Sequence, residues 1–123
     1  MSASGITVRM DEGHVGLVTL EGDHDMGTAP GLQERLGGLV DAGVPAVVDL
    51  TAATFIDSTI LRALLSARRR AREGGLGFAV LIGDPPAEPA VRHVFEMTQL
   101  VDVFPVVASR AEAVEVARTG TTA

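Results

Sequence analysis

The sequence contains no cysteine, no tryptophan, no tyrosine and no lysine. Without cysteine there is neither a disulfide nor a thiolate metal site. Four phenylalanines are the whole aromatic content, so the stacking platforms that proteins use on nucleobases are missing. All ten basic residues are arginine, against 16 acidic ones, for a net charge of −6. That balance argues against nucleic acid as the main ligand. No apolar run approaches the ~20 residues of a membrane-spanning helix. The opening Met1-Ser2-Ala3-Ser4-Gly5 lacks the basic-then-apolar pattern of a secretory signal, and the expected location is cytoplasmic.

What remains is a chain of 123 residues, enough for one domain. Such a chain buries roughly two-thirds of its unfolded surface and needs no staples. Residues 6–10 alternate apolar and polar and read as a strand. Asp11-Glu12-Gly13 reads as a turn, with Gly13 supplying positive φ, into a second, antiparallel strand over residues 15–20. Residues 21–27 read as a polar loop. Thr28 is expected to cap a helix whose apolar stripe is Leu32, Leu36, Leu39 and Val40, ended by Gly43. Residues 46–50, Ala-Val-Val-Asp-Leu, have the composition of a strand buried on both faces.

Beyond them comes Phe55-Ile56-Asp57-Ser58-Thr59-Ile60-Leu61, where a loop becomes a helix. Leu61, Leu64, Leu65, Ala67 and Ala71 then recur at helical spacing as far as Gly74-Gly75. Residues 77–82 read as a further buried strand, 89–99 as a short helix with Val91, Val94 and Phe95 inward, and 101–107 as a last strand. Pro105 assigns that last strand to an edge or a bulge. Ser109-Arg110-Ala111-Glu112 is a capping-box pattern opening a final helix. The order ββαβαβαβα implies an α/β fold, a mixed, mainly parallel sheet with helices packed against it. No repeat or second domain is visible.

Asp57 and Ser58 are both preferred cap types, because their oxygens accept from the free N–H groups of a first helical turn. A helix start also favours an anion, so a phosphate on Ser58 would gain hydrogen bonds there. At about 100° per residue, Arg62 and Arg69 project to the same side as Ser58, and Arg62 lies one turn away. Plain capping remains the alternative use of these two side chains.

Ile56-Asp57-Ser58-Thr59-Ile60-Leu61 resembles the phosphorylation motif of STAS domains, specifically of bacterial anti-sigma factor antagonists. The family pattern is an apolar residue, Asp, Ser, Ser or Thr, Gly, Leu. Ile60 stands here in place of the Gly. Leu20-Glu21-Gly22-Asp23-His24-Asp25 is similar to the family's Leu-x-Gly-Glu-Leu-Asp segment, with His24 replacing the Leu. Val94-Phe95-Glu96-Met97-Thr98-Gln99-Leu100 resembles its Leu-Phe-x-x-x-x-Leu segment. The resemblance implies a single STAS domain over residues 5–118, with flexible termini at 1–4 and 119–123. It implies a non-enzymatic antagonist that binds an anti-sigma factor serine kinase when unphosphorylated. Phosphorylation of Ser58, with Thr59 the rival acceptor, would release it, and a metal-dependent serine phosphatase would reset it. Asp25, Asp57, Ser58, Thr59, Ile60 and Arg62 would form the partner surface, with the bulk of Ile60 limiting approach. The chain would carry no cofactor and no metal, and would meet neither nucleic acid nor membrane. The alternative is a STAS scaffold or ligand-sensing subunit of a larger signalling or transport assembly.

Other constellations are weaker. Asp23, His24 and Asp25 are adjacent in sequence, which rarely converges three ligands on one ion, and they read as solvated loop residues. Ser58 has no evident general base, since His14 belongs to a hairpin and His93 to a late helix, and no Gly-x-Ser-x-Gly elbow surrounds it. A receiver-like use of Asp57 would call for a late lysine. Arg68 and Arg72 are expected to lay their stems over Leu61 and Leu65, with Arg69 and Arg70 facing outward.

Overall fold

The computed structural model of the chain describes residues 5–11, 14–82, 91, 106–107 and 109–119. Its elements are β1 (Gly5–Asp11), β2 (Val15–His24), α1 (Ala29–Asp41), β3 (Ala46–Ile56), α2 (Ser58–Glu73), β4 (Phe78–Leu81), β5 (Val106–Val107) and α3 (Arg110–Thr119). The strands form one mixed sheet in the order β1-β2-β3-β4-β5. β1 and β2 are antiparallel, and every later pairing is parallel. Parallel neighbours require crossovers, and α1 and α2 supply two of them. The helix expected over residues 89–99 lies outside the described residues except for Val91, which is helical and buried. Val94, Phe95, His93, Pro105 and the termini 1–4 and 120–123 also lie outside them. Thr119, expected to fray, is the last residue of α3 and donates its hydroxyl to the Glu115 carbonyl.

Alternation along the strands sorts side chains into two cores. Val18, Leu20, Val48, Leu50, Phe78 and Val80 face α1 and α2, where Leu32, Leu36, Ile60 and Leu64 meet them. Leu17, Val47, Ala79, Leu81 and Val107 face the opposite way, against Ala113 and Ala117 of α3. Small residues on α3 let that helix lie close. A Cβ on Gly77 would sit 1.9 Å from the Ala117 carbonyl oxygen, so only glycine fits where α3 passes the start of β4.

The turn between β1 and β2 differs from expectation in one detail. His14 takes the left-handed conformation, φ 65°, and its N–H donates to the Asp11 carbonyl. Gly13 lies outside the described residues. Both long parallel strands outrun their apolar stretches. β2 continues through Glu21, Gly22 and Asp23 to His24, and β3 through Thr54 and Phe55 to Ile56. Residues 21–24, expected as loop, are therefore strand. The extension is held by the β2–β3 ladder, with Asp23 opposite Phe55 and His24 opposite Ile56. Gly22, at φ 79°, sits between two register shifts and bends the strand there.

Candidate functional site at the start of α2

β3 carries the chain to the carboxyl edge of the parallel strands, the edge where open α/β sheets place their sites. Asp57 follows, extended at φ −113°, ψ −175°, and is the N-cap of α2. Its Oδ1 accepts from the backbone N–H of Thr59 at 2.9 Å and of Ile60 at 3.2 Å. The Thr59 hydroxyl donates to the same oxygen. Burial pushes the Asp57 carboxyl up, but the bonds from the Thr59 hydroxyl and from the N–H groups of Ile60, Thr59 and Met26 outweigh it. The carboxyl is held below its ordinary value of 3.8.

Ser58 is the first residue of α2 and is exposed. Capping is done by Asp57 alone, and among the described residues the Ser58 hydroxyl makes no hydrogen bond. Thr59 is half-buried with its hydroxyl committed to Asp57. The two adjacent hydroxyls are therefore unequal: one open, one occupied. Arg62, one turn further, is exposed.

Ile60 requires a correction. It is 0 % exposed, packed in the core between the sheet and the first two helices. It cannot contact a partner or limit its approach by bulk. The reason is helical phase: Ile60 shares a face with Ala63, Leu64, Ala67 and Ala71, opposite Ser58. Leu65, expected in that buried stripe, is 36 % exposed and lies beside Arg62 and Arg69 instead. Arg70 is exposed as expected, and its Nη2 bonds the exposed Asp41 of α1 at 2.9 Å.

The segment between β2 and α1 completes the site. The Met26 N–H donates to Asp57, which brings this segment against the start of α2. Asp25 is exposed beside it. Its Oδ1 accepts from Gly27 N–H at 2.8 Å, and its carbonyl accepts from Thr28 and Ala29 N–H at 3.0 Å each. Thr28 occupies the N-cap position of α1 but makes no side-chain cap bond. Its hydroxyl instead lies 3.0 Å from His24 Nδ1.

His24, expected as a solvated loop residue, is fully buried. Its Nε2 is 2.9 Å from the Glu21 carbonyl, which can only accept, so Nε2 carries a proton, while Nδ1 pairs with the Thr28 hydroxyl. The ring thus fills an apolar place with both nitrogens satisfied. Among the described residues no group of three His, Cys, Asp or Glu side chains could hold a metal ion.

Two neighbours of the site were not legible as such in the sequence. Met26 is 74 % and Phe55 48 % exposed. Phe55 is out of phase with buried Ile56, and that alternation was the available signal. Met26 carried none, because its place depends on the turn Asp25 makes.

The sequence pattern of the STAS domain matches residues 6–113. The chain belongs to the STAS domain family. Comparison with curated protein sequences found no match. Among solved structures, this STAS domain is similar to an anti-sigma factor antagonist from Mycobacterium paratuberculosis. Identity is 30 %, coverage is 94 % of this chain and 95 % of that one, and the TM-score is 0.80. It shares its fold with the anti-sigma factor antagonist SpoIIAA in its unphosphorylated form, at 17 % identity, 90 % and 96 % coverage and TM-score 0.70. The phosphorylated form of SpoIIAA, a Bacillus cell fate determinant, matches at 18 %, 90 % and 97 %, with TM-score 0.69. A sulfate transporter family protein from Wolinella succinogenes has the same fold, at 15 % identity, 94 % and 93 % coverage and TM-score 0.66.

Proposed function

We propose that this STAS domain is an anti-sigma factor antagonist whose binding is switched at Ser58. The unphosphorylated chain binds an anti-sigma factor serine kinase. That kinase transfers the γ-phosphoryl group of ATP to the Ser58 hydroxyl, releasing ADP and a proton, and the complex dissociates. A metal-dependent serine phosphatase hydrolyses the ester and restores the binding form.

The carrying observation is the unequal pair of hydroxyls. Ser58 is exposed and unengaged at the first position of α2, whereas Thr59 is tied to the capping carboxylate. A phosphate on Ser58 would lie at the positive end of the helix dipole, whose first N–H groups Asp57 already satisfies, with Arg62 within one turn. Against a partner it would add up to two negative charges beside Asp25 and Asp57. Exposed Met26 and Phe55 supply apolar area around that charge. The near-equal match to both forms of SpoIIAA agrees with a switch that leaves this fold intact.

The test is phosphorylation by the anti-sigma kinase of the same genome, followed by peptide mapping. One phosphate on Ser58 is expected, and none on Ser58→Ala. Label on Thr59, or label that survives Ser58→Ala, would overturn the assignment.

A ligand-sensing module is the second reading. A pocket of about 240 Å³, lined by Ile6, His24, Thr28, Gly31 and Arg35 among others, favours it. A small molecule that raises the melting temperature of the wild-type chain but not of an Ile6→Trp variant would support it.

A further inference from the structure

Beyond the start of α2, its outward face becomes a groove of about 390 Å³ lined by Arg62, Leu65, Ser66, Arg68, Arg69 and Arg72. Arg70, Arg110 and Arg118 each face a carboxylate, on Asp41, Asp11 and Glu115. The four groove arginines face none among the described residues. Arg68 goes further: its Nε is buried without a hydrogen-bond partner. A buried guanidinium N–H without an acceptor is costly, and the anion-accessible ends of the groove are those of the exposed Arg62, Arg69 and Arg72. A chain of net charge −6 thus gathers in one place four cations that face no carboxylate among the described residues.

We propose that this groove is a docking site for an acidic, leucine-bearing segment of a protein partner. Carboxylates would take the guanidinium forks, and an apolar side chain would seat on Leu65, which is 36 % exposed in the middle of the groove. The run from Arg62 to Arg72 is about 15 Å long, the reach of roughly five extended residues or three helical turns. A nucleotide fits less well, because the described lining offers a base no aromatic face. The groove opens one turn from Ser58, so phosphate there would draw Arg62 away and repel the acidic segment at its entrance. The inference deepens the reading above by naming the chemistry of the partner's docking segment, and rests on that reading only for the partner's identity.

The test uses the unmodified full chain and a capped peptide of glutamates with leucine at every fourth position, titrated calorimetrically at low and at physiological salt. Binding is expected, weakening steeply as salt rises. The double variant Arg62→Ala/Arg69→Ala should lose about tenfold or more in affinity, and Leu65→Ser a smaller factor of the same sign. Arg110→Gln/Arg118→Gln removes the same charge outside the groove and should change affinity by no more than about twofold. Circular dichroism confirms that each variant is folded. Equal loss in the two double variants would overturn the proposal, because the attraction would then be to overall charge. So would absence of peptide binding, or tighter binding of ATP or phosphatidylserine vesicles through the same arginines. No kinase and no phosphate is involved, so failure here leaves the Ser58 switch standing, and failure of that switch leaves this titration interpretable.

Discussion

Ser58 and Asp57 divide labour at adjacent positions, and their substitutions should separate cleanly. Asp57 accepts every cap bond, so Asp57→Ala should cost about 1–2 kcal/mol of stability. Ser58 contributes no cap bond, so Ser58→Ala should stay within about 0.5 kcal/mol of wild type. Chemical denaturation of the two variants checks both. Ile60 belongs to the same motif yet serves the core. Ile60→Gly empties a fully buried site and adds a helix penalty, for a loss of roughly 3–6 kcal/mol. A loss near 1 kcal/mol would mean that the surrounding side chains collapse into the space Ile60 leaves. The residue-level pattern of Asp, Ser and Thr was legible because cap chemistry is local. The roles of Ile60 and Leu65 were not, because a shift of one position in helical phase exchanges a buried face for an open one.

The helix α2 depends on an ionised cap. Asp57 titrates below its ordinary value of 3.8 in the folded chain, so its contribution is present above that value. It fades as pH falls through the lower, folded value. The stability gap between wild type and Asp57→Asn should therefore be constant at neutral pH and shrink only below about pH 4. A gap that already shrinks between pH 7 and 5 would contradict the depressed value. On the opposite face of the sheet, Gly77→Ala should be among the costliest small substitutions. Its Cβ would meet backbone of α3 and not a movable side chain, and about 3 kcal/mol is expected. Denaturation midpoints compared with a Gly38→Ala control, where a Cβ meets open space, would show it. Element type and order were legible from periodicity. Strand ends were not: Glu21, Asp23 and Thr54 are polar, and only pairing between β2 and β3 keeps them extended. His24 read as solvated because its burial comes from that same pairing and from Thr28, not from its own polarity.

The whole molecule is a sheet between two unequal cores, with the exposed Ser58 at its carboxyl edge, at the rim of the first core. On the proposed switch, a phosphate on exposed Ser58 would touch no core contact, and the fold should persist. What would change is charge, on a surface that already presents Asp25 and Asp57 within a chain of net charge −6. Binding in which a phosphate loses water against a partner without compensation is disfavoured by about 2–5 kcal/mol, roughly 30- to several-thousand-fold in affinity. Ser58→Asp carries less charge and should weaken binding in the same direction by less.

The most direct measurement is calorimetric titration of the anti-sigma kinase, in a catalytically inactive form, with unmodified and Ser58-phosphorylated chain. The unmodified chain should bind, and the phosphorylated chain should bind at least ~30-fold more weakly with an unchanged circular dichroism spectrum. Equal affinity of the two forms, or a phosphorylated chain that has lost much of its helical signal, would contradict a switch that works by charge at Ser58.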